Sequence, residues 1–164
     1  MNLKFIIENK MLMSAIIKTS ENFAKKEYAQ HDKQHQWKHV EEVMTVALKL
    51  AKSYPEVDLE ILKLAVIFHD ISYETYQTHV DESVAVAKKF LRENNYPEKR
   101  IQYVLAVMIA HSGPHRKKLS ETDLIEGKII YDADKFKPAS ATKEGFAKYY
   151  PKLYLAETKK LLTL

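Results

Sequence analysis

Cysteine is absent from the 164 residues, so the chain has neither a disulfide framework nor a thiolate metal site. That is compatible with the cytoplasm, the location expected here. Glycine is scarce, at three residues, and prolines number five. So little turn material suits helices better than a turn-rich β protein. No apolar run approaches the roughly 18 residues that a spanning helix needs, so no membrane segment is expected. Near the start, Glu8 and Lys10 interrupt Phe5-Ile6-Ile7 too early for a signal-peptide core. A large excess of one charge is lacking too. A net charge of +4 could favour anionic ligands but is too weak to call for nucleic acid.

A hydrophobic content of 46% and a charged content of 29% are ordinary for a globular protein, and the length suits one domain with a sizeable core. Residues 1–164 are therefore read as a single all-α domain of about seven helices. An N-terminal helix within 1–29 runs from about Met11, where Met11 and Met13 are alternative starts and the first ten residues a loosely attached extension. A second helix from about Trp37 to Ser53 carries Val40, Val43, Ala47 and Leu50 on one face, with His39 bordering that stripe. Asp58 is a candidate N-cap for the next helix. A fourth begins near His79 and ends at Asn94-Asn95. A fifth starts with Pro97, carries Val104 and Met108 inward, continues that face to His111 and stops at Gly113-Pro114. Ile125, Ile129 and Ile130 lead into Asp132-Ala133-Asp134-Lys135-Phe136, an element that Pro138 should end. Residues 141–164 form a last helix, kinked or split at Pro151. No alternation typical of strands stands out.

The chain is organised around Leu64-Ala65-Val66-Ile67-Phe68-His69-Asp70-Ile71. A helix apolar nearly all round is buried, and burying an ionisable pair at its end is costly unless the pair is compensated. A hydrogen-bonded His–Asp pair is one solution. A metal ion is another, favoured by the partial negative charge of a helix C-terminus. His39, His69, Asp70 and Asp134 all lie at or near helix ends beside apolar stripes. Two imidazoles and two carboxylates suit Mn, Fe, Co, Ni or Zn, and Mg less. Four ligands leave room for water on a six-coordinate ion, which supports catalysis.

The order His … His-Asp … Asp on a helical chain resembles the HD superfamily of metal-dependent phosphohydrolases. The local patterns agree over about residues 30 to 140. His35-Gln36-Trp37-Lys38-His39-Val40-Glu41-Glu42-Val43 is similar to the family's first ligand segment, with Glu42 where an arginine is frequent. The doublet His69-Asp70 is followed by Ser72-Tyr73 in place of a frequent Gly-Lys. Asp132-Ala133-Asp134-Lys135-Phe136 resembles the closing pattern and selects Asp134 over Asp132.

The resemblance implies hydrolysis of a small phosphorylated substrate, a nucleotide or another phosphoester, by a water activated on one or two divalent ions. His39, His69, Asp70 and Asp134 would hold the first ion, and Asp70 would orient the water or bridge to a second. His79 matches a position that supplies a histidine in binuclear members. His111 would bind a second ion or phosphate, joined by His115. Lys135 would bind phosphate, and Glu74 is a general-base candidate by reach. His31 and His35 are read as loop residues, and Arg116-Lys117-Lys118 as a solvated loop. Two other readings stay open: a di-iron oxygenase on the same ligands, and a sensing or interaction domain that keeps the metal without turnover. No nucleic-acid motif occurs, and nothing in the sequence specifies an oligomeric state.

Overall fold

The computed structural model describes residues 3–30, 36–72, 78–112 and 124–163, with the side chains of the first helix from Ala15 onward. Among them are eight α-helices and no strand: α1 (Leu3–Tyr28), α2 (Trp37–Ala51), α3 (Leu59–Phe68), α4 (His79–Glu93), α5 (Glu98–Ala110), α6 (Ile125–Ala141), α7 (Lys143–Tyr149) and α8 (Ala156–Leu162). The class is all-α, as expected.

The apolar stretch became the central helix. Asp58 caps α3, its side chain accepting from the amides of Glu60 and Ile61 at 3.1 Å each. Eight of the ten residues of α3 are buried, because α1, α2, α4, α5 and α6 all pack against it. One core cluster runs through these helices, from Ala24 on α1 to Leu155 before α8. Helix α4 stops where the asparagines predict. Asn95 takes φ 55°, and the amides of Asn95 and Tyr96 return to the carbonyls of Arg92 and Leu91 at 3.0 and 2.9 Å, a Schellman closure.

Two boundaries depart from the sequence reading. The backbone of α1 is helical from Leu3, so residues 3–10 belong to the helix instead of forming a loose extension. Pro138 lies inside α6, which continues to Ala141. A proline forfeits one helical hydrogen bond, but buried Ala139 holds the following turn in place. The chain then reverses at extended Thr142, whose hydroxyl accepts from the Gly145 amide at 2.9 Å. A Cβ at Gly145 would lie 2.0 Å from the Pro138 carbonyl oxygen, so only glycine allows α7 to fold back this closely. The tail is split at Pro151, as expected: a 3-10 turn at Tyr150–Lys152 separates α7 from α8.

Candidate metal centre

Helices α2 to α6 bring polar side chains together at one end of α3. His39 is on the first turn of α2, and His69 and Asp70 follow the last residue of α3. His79 opens α4, His111 caps the end of α5, and Asp134 lies within α6. His69, Asp70, His79, His111 and Asp134 are all buried, and His69 is completely so. The His39 side chain is the most open of the six, at 19%.

Asp70 sits between two pairs of imidazoles. Its Oδ2 lies 3.5 Å from His69 Nε2 and 3.9 Å from His39 Nε2. Its Oδ1 lies 3.3 Å from His111 Nε2 and 3.7 Å from His79 Nε2. Potential ligand atoms therefore form two triads that share one carboxylate, His39/His69/Asp70 and Asp70/His79/His111. Asp134 joins through Oδ1, 3.2 Å from His39 Nε2, while its Oδ2 is held by the ammonium of Lys135.

The rings are oriented from behind. His69 Nδ1 donates to the Val66 carbonyl at 2.8 Å, and His111 Nδ1 donates to the Met108 carbonyl. In the neutral rings each proton is thereby committed to Nδ1, and a lone pair at Nε2 faces the cluster. Burial lowers the pKa of His69 to about 4, helped by the neighbouring rings of His111 and His39 and opposed by Asp70. Burial also opposes ionisation of Asp70, but His69 and His111 hold its carboxyl below the ordinary range. For Asp134 burial is likewise outweighed, by Lys135 and His39, and its carboxyl is held well below that range. His39 is raised: burial works against its charge, but the hydrogen bond and charge of Asp134 and the charge of Asp70 prevail.

These states leave an excess of acceptors. Asp70 Oδ1 is buried and receives no hydrogen bond, despite its 3.3 Å separation from His111 Nε2. In the neutral ring whose Nδ1–H goes to the Met108 carbonyl, His111 has no second proton to offer that oxygen. The Nε2 atoms of His69 and His39 stand 3.2 Å apart. An orphaned carboxylate oxygen among imidazole lone pairs is the donor set of a divalent transition metal, so the residues present fit one.

Six of the residues singled out in the sequence thus meet in space, and Lys135 adjoins them. Glu74 and His115 lie outside the described residues, as do His31, His35 and Arg116–Lys118. Asp132 turns away. Its oxygens accept from the amides of Tyr154 and Leu155 at 2.9 Å each, tying the approach to α8 onto α6. Tyr28 went unnoticed in the sequence. Ser20, Ala24 and Tyr28 form a fully buried stripe four residues apart, which marks core and gives no sign that the Tyr28 hydroxyl reaches the Asp70 amide.

A family model for the HD domain matches residues 37–139. No curated protein matches the chain. Among solved structures, the Lin1889 protein from Listeria innocua is similar in fold, with a TM-score of 0.65 at 17% identity over 92% of this chain and 87% of that one. Among the described residues no helix is long and apolar enough to cross a membrane.

Proposed function

Because this chain belongs to the HD domain family, whose members are mostly metal-dependent phosphohydrolases, we propose that it hydrolyses a nucleotide or another small phosphoester. The observation that carries this reading is the shared carboxylate, with one oxygen of Asp70 facing His39 and His69 and the other facing His79 and His111. His39, His69, Asp70 and Asp134 would hold one ion of Mn, Fe, Co, Ni or Zn, and His79 and His111 a second, with Asp70 common to both. A divalent ion there supplies an acidified water and a Lewis acid for a phosphoryl oxygen.

The protein's own groups do the rest. Lys135 remains charged: burial opposes its ammonium, but Asp134 raises its pKa. Its side chain is 26% exposed, so it can meet a phosphoryl oxygen while still anchored to Asp134. His39 and Lys135 are the more open members of the cluster among the described residues, which favours an approach of the substrate from the α2–α6 side. His111 is better suited to ligation than to proton transfer, since its Nδ1 is tied to Met108 and its Nε2 faces Asp70. The proposed substrate class is a small phosphorylated anion in the cytoplasm rather than a nucleic acid.

The test is orthophosphate release from nucleoside monophosphates and generic phosphoesters by protein loaded with each of the five metals. Release from at least one substrate is expected. None from any would sink the proposal. The shared carboxylate also suits a di-iron oxygenase, the second reading, and oxygen consumption by the iron-loaded protein in place of phosphate release would favour it.

A further inference from the structure

At the end of α3 one hydrogen bond has been exchanged for two. In a continuing helix the Val66 carbonyl would receive the amide of residue 70. Here it accepts Nδ1–H of His69 at 2.8 Å instead, and this fixes the tautomer that turns Nε2 toward the centre. The Asp70 amide is taken up by the hydroxyl of Tyr28, 3.3 Å away on α1. The Tyr28 ring is fully buried and meets Trp37 edge-on, with centroids 6.2 Å apart, so the hydroxyl is held where the amide needs it. Helix α1 precedes the span matched by the family model, 37–139.

We propose that Tyr28 is a positioning residue of the metal centre: by accepting the Asp70 amide it leaves the Val66 carbonyl to His69 and sets the orientation of both halves of the doublet. An amide without this partner would be drawn back toward the Val66 carbonyl, crowding the Nδ1–H of His69 there and loosening the bond that fixes its tautomer. The inference rests on the metal-centre reading for its consequence but not for its geometry. Partners behind metal ligands typically contribute about 10–100-fold in affinity.

The test is Tyr28→Phe, which keeps the ring and removes the hydroxyl. The control is Tyr54→Phe, which loses a hydroxyl bonded to Glu157 instead. Imidazole nitrogen NMR of the metal-free proteins should show His69 as the Nδ1–H tautomer in wild type and control, and as a mixture in Tyr28→Phe. Cobalt affinity, measured by chelator competition, should fall about 10–100-fold in Tyr28→Phe only. A changed tautomer in a protein whose wild type binds no cobalt would support the positioning role and overturn the metal reading. An unchanged tautomer with wild-type cobalt affinity would overturn the inference, whatever happens to the melting temperature, because a purely structural hydroxyl would move only that.

Discussion

The two ends of α3 each gather buried carboxylates, but they settle the charge differently. At the N-terminal end, Arg100 bridges Asp58 and Glu60, with contacts of 2.9 Å to each. Tyr96 donates to Glu60, while Glu126 accepts from the Asp58 amide and the Tyr103 hydroxyl, both at 2.7 Å. Glu60 Oε2 has no partner, but Oε1 carries the guanidinium and a hydroxyl, so the charge is compensated within the chain. At the C-terminal end, Asp70 faces the Nε2 atoms of His69 and His111, whose Nδ1 protons go to the Val66 and Met108 carbonyls, and the ammonium of Lys135 is taken up by Asp134. The helix dipole favours carboxylates at the first end and a cation at the second. One cluster is paired with a guanidinium of the chain; the other gathers donor atoms that could hold a cation from solution.

Substitution of the shared carboxylate should break this contrast most severely. Asp70→Ala should lose essentially all bound metal by elemental analysis and all hydrolysis, with helical circular dichroism kept. His79→Ala should lose one of two equivalents. Equal metal content in wild type and Asp70→Ala would remove the C-terminal cluster from consideration.

The opposite end should fail in the opposite way. Arg100→Met leaves Glu60 buried without its cation, and breaking such a pair costs about 3 kcal/mol, at the low end of its range because the guanidinium is partly exposed. Denaturant unfolding should show that loss while metal content is unchanged. A stability near wild type would mean that the N-terminal cluster does not depend on its internal cation.

Acid separates the two ends more gradually. The pKa of His39 is raised above its ordinary 6.5. In the metal-free protein its contribution to stability is therefore complete below 6.5 and lost as pH rises through the folded value. The proton occupies the place of the metal, so metal affinity should begin to fall on acidification while pH is still above the ordinary histidine range, by up to about tenfold per pH unit. Asp58 is lowered below its ordinary 3.8: burial opposes this, but Arg100 and the amides of Ile61 and Glu60 prevail. Its contribution is present above 3.8 and is lost only as pH falls through the folded value. Metal release, followed with a chelating dye, should therefore precede acid unfolding. Coincident midpoints would show that the two clusters respond as one.

The smallest effect distinguishes two aspartates. Asp134→Asn should weaken metal binding. Asp132→Asn should leave metal alone and cost about 1.5 kcal/mol, the scale of hydrogen bonds to a charged group, by loosening the bonds to Tyr154 and Leu155. A larger metal loss in Asp132→Asn would reverse their roles.

Much of the local structure was legible in the residues. The apolar run to Phe68 dictated a buried helix, Asp58 its start and His69-Asp70 its end, because periodicity and capping act over a few residues. Asn94-Asn95 marked a helix end for the same reason. Pro138 misled, since its local cost is outweighed by contacts that no short window contains. The spacing of histidines and aspartates marked candidates along the chain. It could not say that Asp70 would stand between two imidazole pairs, that Asp132 would cap the approach to α8, or that Tyr28 would serve the doublet from 42 positions away. Those outcomes depend on which helix faces cross at the end of α3, and that is decided by packing among residues far apart in sequence.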